Sequence, residues 1–300
     1  MTTRRTFLAK CGSAAAGLAI SDKILAAPMP SKPRQDGSEG GSKALEIRYA
    51  LKLGMVGEGD SLTEKFALVK DIGFDGVEID SPAPYSGKEA LAASKATGLP
   101  VHGVVDSIHW QERLSHPDEA VRAKGVAGLE GALRDAKDSG ATSVLLVPGA
   151  VNKVERYDHC YERSQVEIRK VLPLADELGI DILIENVWNN FLLSPLEMRR
   201  YLDELGPRVG SYFDIGNIVK YGRPADWIRI LGKRVKKLDV KGYHSKNGWC
   251  KIGEGSEEWP DVCAALREVG YKGWATAEVG GGKRARLEEI LERMRKCFQA

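Results

Sequence analysis

Short apolar runs alternate with amphipathic stretches along the chain from Leu45 onward. The runs have the length and β-branched content of buried strands, and the stretches between them repeat apolar residues at helical spacing. We predict strands over residues 47–56, 76–80, 100–106, 143–148, 181–187, 209–215, 235–243 and 274–279. We predict helices over residues 62–72, 88–97, 118–139, 164–178, 195–205, 224–231, 258–269 and 284–298. Eight strand–helix units in about 250 residues predict an α/β fold, a single-domain closed (β/α)8 TIM barrel over residues 45–300.

The residues before the barrel carry a different pattern. Arg4-Arg5 is followed by Phe7-Leu8, a mildly apolar run over 11–20 and small residues at Ala26-Ala27. A charged start, an apolar middle and a small-residue end are typical of a signal peptide, here of the twin-arginine type. We therefore predict a signal peptide over residues 1–27, a disordered Pro/Gly/Ser-rich linker over 28–44, and an exported protein, periplasmic or extracellular.

Composition and charge exclude several classes of protein. Charged residues make up 29% and hydrophobic residues 43% of the 300 residues, close to a globular average. The longest apolar stretch, near residues 14–20, is far shorter than the roughly 20 residues of a spanning helix, so no membrane segment is expected in the mature form. Removing residues 1–27 takes four basic residues and one acid from a net charge of +2 and leaves −1, which argues against nucleic acid as a partner. The five cysteines show no CxxC spacing, so a cysteine zinc site is excluded.

Each of the last four predicted strands ends in an acid where an apolar residue is the default. These acids are Glu185, Asp214, Asp239 and Glu278, and they are 29, 25 and 39 residues apart. The spacings are close to the roughly 31 residues of one strand–helix unit, so the acids occupy matching positions at the C-terminal mouth of the barrel. Four converging carboxylates raise each other's pKa unless a cation lies among them. All-oxygen ligation favours one divalent hard ion, Mn²⁺ or Mg²⁺. The alternative is that the acids only cap the helices that follow.

The residues around these acids resemble a known family. The motifs IENVWN at 184–189, YFDIGN at 212–217, KLDVKG at 237–242 and AEVGG at 277–281 are similar to the strand ends of the xylose isomerase-like barrel superfamily, in its sugar phosphate isomerase/epimerase branch. In that family Glu, Asp, His and Glu hold the metal, and Glu185, Asp214 and Glu278 match directly. Asp239 stands where the family usually has His. His244, five residues further on, is a rival for the fourth ligand.

Other residues near the predicted mouth are candidates for substrate binding. The resemblance implies contacts from His102, His109 and Trp110, and the residues themselves suggest an apolar wall at Trp188 and a cation at Lys241 that neutralises the acids or holds a substrate oxygen. For each of them core packing or an ordinary surface position is the competing interpretation. The complete predicted set of substrate-binding residues is His102, His109, Trp110, Trp188, Asn217, Lys241 and His244.

Glu185 and Glu278 are the predicted catalytic residues. The resemblance implies an isomerase or epimerase that removes a proton next to a sugar carbonyl through an enediolate stabilised by the metal. Export and the lack of a GxxxxGK[ST] phosphate loop favour a free ketose or keto-sugar as the small-molecule substrate. The alternatives are a lyase or hydratase acting on 3-keto sugars with the same site, and a non-catalytic sugar-binding barrel. The resemblance also allows a homo-oligomer.

Overall fold

The computed structural model describes residues 44–300, which form an eight-stranded parallel barrel surrounded by helices. The predicted signal peptide and nearly all of the predicted linker lie outside the described residues. The barrel strands are β1 (Glu46–Lys52), β2 (Gly76–Ser81), β3 (Val101–Asp106), β4 (Ser143–Leu146), β5 (Asp181–Glu185), β6 (Val209–Asp214), β7 (Val235–Val240) and β10 (Lys272–Ala277). Strands β8 (Gly242–His244) and β9 (Gly248–Cys250) form a small hairpin after β7. The helices are α1 (Leu62–Ile72), α2 (Gly87–Thr97), α3 (Glu119–Ser139), α4 (Tyr157–Leu178), α5 (Pro195–Leu205), α6 (Ile215–Ile218), α7 (Pro224–Leu231), α8 (Trp259–Glu268) and α9 (Arg284–Phe298).

The strands close in sequence order. β1 pairs in parallel with β2 on one side and with β10 on the other, and the order around the barrel is β1-β10-β7-β6-β5-β4-β3-β2. Parallel neighbours joined by helical crossovers place every strand's C-terminal end on the same face. The predicted (β/α)8 barrel is therefore confirmed, and its mouth is the face where β5, β6, β7 and β10 end.

Local sequence explains where the helices begin and end. Ser61 and Ser86 each accept a hydrogen bond from the backbone N–H three residues later, and Glu64 and Glu89 reach back to the cap residues. These reciprocal capping boxes satisfy backbone donors that a helix start otherwise leaves unpaired. At the other end of α1, Gly73 has φ of 100°, a left-handed conformation that favours glycine.

The barrel interior is filled beneath the mouth. Leu145, Leu183 and Tyr212 are almost fully buried and form one apolar cluster with Val105. Because side chains alternate along a strand, Leu183 shares its face with Glu185, and Tyr212 shares its face with Asp214. The acids at the strand ends consequently sit above this apolar layer.

Three predicted boundaries are wrong for physical reasons. The first strand ends at Lys52, and Leu53–Met55 is a 3₁₀ turn. The seventh run divides at Lys241 into β7 and the hairpin strand β8, which begins at Gly242; a Cβ at Gly242 would lie 2.4 Å from the Lys251 carbonyl oxygen. Helix α4 begins at Tyr157, about two turns before the prediction, because Tyr157, Cys160 and Tyr161 extend its buried face with residues that are not strongly apolar.

None of the helices within residues 44–300 has both the length and the apolar content needed to span a bilayer.

Candidate metal centre and active site

Four carboxylates from four neighbouring strands meet at the barrel mouth. They form the acidic cluster, which consists of Glu185, Asp214, Asp239 and Glu278. One carboxylate oxygen from each of the four lies within 4.8 Å of the others. Asp214 and Asp239 are fully buried, Glu185 is nearly so, and the Glu278 side chain is 34% exposed. The strand ends thus bring together all four residues predicted as metal ligands.

Two lysines lie against the acidic cluster. Lys241 Nζ is 2.8 Å from Asp214 Oδ2, 2.6 Å from Glu278 Oε2 and 3.7 Å from Glu185 Oε1. On the other side, Lys52 Nζ is 3.2 Å from Asp239 Oδ2 and 3.3 Å from Glu278 Oε1. Glu278 therefore bridges the two ammonium groups, and each remaining acid pairs with one of them.

Burial controls the protonation of the acidic cluster. It raises the pKa of Glu185 to about 8, against the opposing effect of Lys241, and raises the pKa of Asp239 well above its usual range. Burial also raises the pKa of Glu278, but Lys52 and Lys241 outweigh it and bring that pKa down to about 2. When no metal is bound, the four carboxyl groups of the acidic cluster therefore carry unequal negative charge.

The donor set fits a divalent metal. The four carboxylates of the acidic cluster face two ammonium groups, and one of these, Lys52, is also shared with the buried Glu78 at 3.6 Å. Both oxygens of Asp239 are buried, and beyond the ion pair with Lys52 neither accepts a hydrogen bond. Buried carboxylates without enough positive charge or donors are costly, and a hard cation relieves that cost. The acidic cluster can therefore hold a metal in addition to the lysines.

Two asparagines orient members of the acidic cluster. Asn186 donates from Nδ2 to the Asp214 carbonyl oxygen at 2.8 Å and accepts from the Asp214 N–H at 2.9 Å. Asn217 donates its backbone N–H to Asp214 Oδ1 at 2.7 Å, and its side chain donates to Glu185 Oε1 at 3.4 Å. The predicted residue Asn217 therefore positions two members of the acidic cluster, since it holds one oxygen of each carboxylate.

A cavity of about 420 Å³ opens above the acidic cluster. It is the mouth cavity, and its lining residues are Lys52, Asp80, Val105, Ser107, His109, Trp110, Leu145, Glu185, Val187, Trp188, Asn217, Lys241, Trp249 and Glu278. Five of the predicted substrate-binding residues are in this set, namely His109, Trp110, Trp188, Asn217 and Lys241. The volume is in the usual range for a small-molecule site.

His109 enters the mouth cavity as a neutral hydrogen-bond donor. Its Nδ1 accepts the Val147 backbone N–H at 3.3 Å, so the proton of the neutral ring resides on Nε2. Burial, aided by Lys52, lowers the pKa of His109 to about 3. A protonated ring would lose the bond from Val147 and would add a third cation beside the lysines.

The His109 environment predicts an acid-sensitive contribution to stability. Its folded pKa lies below the unfolded value of 6.5, so the unfolded state binds the extra proton and stability falls as pH drops from about 6.5 toward 3. We expect His109→Gln to lose about 2 kcal/mol less stability than the parent between about pH 6.5 and pH 4.5, since one pKa unit is worth about 1.4 kcal/mol. Urea unfolding at a series of pH values measures this, with His159→Gln on α4 as the control. Parallel pH profiles for the parent and His109→Gln would contradict the prediction.

Two predicted residues are not brought to the mouth. His102 lies near the start of β3, where it is buried, stacks on Trp274 at 4.6 Å and contacts Thr276 Oγ1 at 3.1 Å. It therefore lies inside the barrel toward the opposite end, because a residue one step into a parallel strand is far from that strand's C-terminal end. His244 ends β8, where its Nδ1 accepts backbone N–H groups of the hairpin turn. His244 is consequently not among the four residues that converge at the mouth, where Asp239 occupies the position on β7.

The predicted set lacks several residues that line the mouth cavity, among them Lys52 and Trp249. Lys52 ends β1 and is a charged residue in an apolar run, which is the signal that identified the four acids. Because the first strand was predicted to continue to residue 56, Lys52 was not recognised as a strand end. Trp249 lies on the hairpin, which the prediction did not resolve, and no pattern around it signals a site.

The comparisons with known proteins agree with this geometry. The family model of the xylose isomerase-like TIM barrel matches residues 66–297. A curated relative, the L-ribulose-5-phosphate 3-epimerase UlaE of Escherichia coli (strain ATCC 8739), is 26% identical over 233 residues, which cover 72% of this chain and 81% of the relative.

Solved structures show the same fold at low identity. The D-allulose 3-epimerase from Methylomonas sp. has a TM-score of 0.69 at 18% identity, over 85% of this chain and 99% of that one. The 3-keto-D-glucoside 4-epimerase YcjR from E. coli has a TM-score of 0.70 at 17% identity, over 85% and 100%. The chain belongs to the xylose isomerase-like TIM barrel family, and its relatives include sugar epimerases.

Proposed function

We propose that this protein is a divalent-metal-dependent sugar epimerase or isomerase that removes a proton from a carbon next to a carbonyl. The observation that carries the proposal is the convergence of four carboxylates from β5, β6, β7 and β10 beneath one cavity. The epimerase names of the relatives support the same reaction class. The geometry of the site suits both epimerisation and aldose–ketose isomerisation, because both begin with the same proton removal.

The acidic cluster would hold the metal, with Mn²⁺ or Mg²⁺ as the proposed ion. When bound, such a cation stabilises negative charge that develops on substrate oxygens. The neutral His109 lines the same cavity and is placed to donate to a hydroxyl or carbonyl oxygen, whereas Lys241 is proposed to neutralise the carboxylates. Asn217 keeps two carboxylates in position.

Glu185 and Glu278 are proposed to move the protons. In the barrel order β10-β7-β6-β5, the two glutamates lie on the outer strands, and Asp239 and Asp214 lie on the two strands between them. A sugar that lies over these two middle strands has one glutamate on each side. One carboxylate then removes the proton, and the other returns a proton from the opposite side. Return to the same carbon is epimerisation, and return to the neighbouring carbon is isomerisation.

The proposed substrate is a free ketose or keto-sugar rather than a phosphorylated one. Within the lining of the mouth cavity the cations are Lys52 and Lys241, and both already pair with carboxylates. The twin-arginine export predicted from residues 1–27 fits the same substrate class, and a periplasmic or extracellular location remains a proposal on that basis. Self-association also remains a proposal.

One observation favours a second candidate, a sugar-binding barrel without catalysis. Lys52 and Lys241 pair with every member of the acidic cluster, so their charge partly replaces that of a metal.

A lyase or hydratase acting on keto-sugars would use the same proton abstraction and differs only in its product.

Metal content and proton exchange test the proposal together. We expect the purified protein to carry, or to take up, about one divalent ion per chain, and to wash deuterium into the carbon next to the carbonyl of a substrate ketose or keto-sugar in D₂O with Mn²⁺ or Mg²⁺. NMR follows the exchange, and the identity of the product separates epimerase, isomerase and lyase. Absence of both metal and exchange, even with added Mn²⁺, would leave the non-catalytic sugar-binding barrel as the better assignment.

A further inference from the structure

An exposed tryptophan stands at the rim of the mouth cavity. Trp249 lies on β9, lines the cavity and is 55% exposed. Its ring stacks on Trp188, with centroids 4.7 Å apart and planes at 21°, and meets Tyr243 edge to face at 5.1 Å. These three rings form the aromatic shelf (Trp188, Tyr243 and Trp249). Trp249 is the exposed ring of the shelf, and the half-buried Trp188 and Tyr243 pack against it, so one aromatic face stays open at the rim of the cavity.

The aromatic shelf is built on fixed supports. Trp188 donates from Nε1 to the Asn217 carbonyl oxygen at 2.9 Å, and the Lys220 ammonium lies 4.4 Å above its ring. Tyr243 is tied to the loop after β9, because its N–H donates to the buried Glu257 carboxylate and its carbonyl accepts the Ser256 N–H at 2.8 Å. The shelf therefore presents Trp249 in one orientation, with Trp188 as its support.

The floor and the rim of the mouth cavity have different chemistry. The floor carries the acidic cluster and its two lysines, which suit the carbonyl and hydroxyl groups of a reacting sugar. The rim carries Trp249 and, on the loop after β3, Trp110, which is 44% exposed. A flat aromatic ring packs well against the C–H face of a pyranose and recognises neither phosphate nor a small polar chain end.

We propose that the aromatic shelf is a second sugar subsite, so that the substrate is a glycoside with at least two rings, a keto-disaccharide or similar molecule. One ring lies over the acidic cluster, and the second, joined through the glycosidic bond, lies on Trp249. This inference rests on the proposed function for the reacting ring, but the shelf itself is a binding site that can be tested without turnover.

Direct binding of unreactive sugars tests the shelf. The probes have no free carbonyl group: methyl α-glucoside and methyl β-glucoside on one side, and sucrose and trehalose on the other. We expect at least one disaccharide to bind about tenfold more tightly than either monosaccharide, which corresponds to about 1.4 kcal/mol. Tryptophan fluorescence and saturation-transfer NMR report the affinities. Trp249→Ala is expected to remove most of this advantage, and Trp249→Phe to retain about half or more of it.

Controls separate the shelf from folding and from the proposed function. Leu196→Ala changes an exposed apolar residue on α5, outside the mouth cavity, and is expected to keep the tenfold advantage. Equal affinity for both sugar classes in the parent, or no binding of any disaccharide, overturns the shelf proposal whether or not deuterium exchange occurs. An equal loss for both classes in Trp249→Ala overturns it as well. Preferential disaccharide binding without exchange on any keto-sugar supports the shelf and refutes the proposed function.

Discussion

Glu185→Gln and Glu278→Gln should each lower deuterium exchange next to the substrate carbonyl by about 1,000-fold, the usual size of a general acid–base contribution. Glutamine keeps the shape of glutamate and removes the group that takes or returns the proton. Both residues line the mouth cavity, and their strands lie on either side of the two strands that carry Asp214 and Asp239. The measurement is NMR exchange in D₂O at saturating Mn²⁺, with metal content determined for each variant, so that a lost proton carrier is distinguished from a lost ligand.

A matched carboxylate outside the mouth serves as the control. Glu254 lies in the loop after β9, is paired with Arg293 at 2.9 Å and does not line the mouth cavity. Glu254→Gln is expected to exchange at the parent rate. Full turnover by Glu185→Gln with a bound metal would contradict the proposal that Glu185 and Glu278 move the protons, whatever the Glu278 variant does.

Lys241→Met should destabilise the metal-free protein by about 3 kcal/mol, because it leaves buried carboxylates without their partner. Lys241 Nζ is the cation next to Asp214 and one of the two next to Glu278. Lys52→Met should act similarly through Asp239. The measurement is urea unfolding in EDTA, repeated with Mn²⁺ added.

The same variants should bind Mn²⁺ more tightly than the parent. Removing an ammonium removes the charge that repels the ion, so Mn²⁺ should restore more stability to Lys241→Met than it adds to the parent. Lys251→Met, which breaks an exposed pair with Glu289, is the control and should change stability by less than about 1 kcal/mol. Unchanged stability of both lysine variants in EDTA, with no greater effect of Mn²⁺, would mean that the acidic cluster does not depend on these ammonium groups.

The two lysines change how the departure at Asp239 is interpreted. A histidine at that position would bring no negative charge, whereas Asp239 adds one to a buried cluster that already holds three carboxylates. Lys52, at the end of β1, lies 3.2 Å from this additional carboxylate. The aspartate and the lysine therefore act as a pair, and a variant at one position should be studied together with the other.

The order of strands and helices, the barrel, and the four acids at its mouth could be predicted from the sequence, because each depends on local pattern. The apolar period identifies an element, capping residues such as Ser61 and Ser86 mark helix starts, and a polar residue at the end of an apolar run signals the C-terminal mouth. The spacing of Glu185, Asp214, Asp239 and Glu278 matched one unit per strand, so closure of the barrel was sufficient to bring them together.

What only the tertiary structure decided is which other side chains meet the acidic cluster. Lys52 comes from the first strand, and only closure of β1 on β10 places it beside Glu278, more than 200 residues away in the chain. Trp249 reaches the rim because the hairpin folds back onto Trp188, a contact that no local pattern encodes. His102 and His244 fit the predicted chemistry equally well, but depth along the strand and the hairpin turn keep them away from the mouth. Sequence period determines the direction in which a side chain points along its own element, whereas contacts between distant elements depend on how the whole barrel packs.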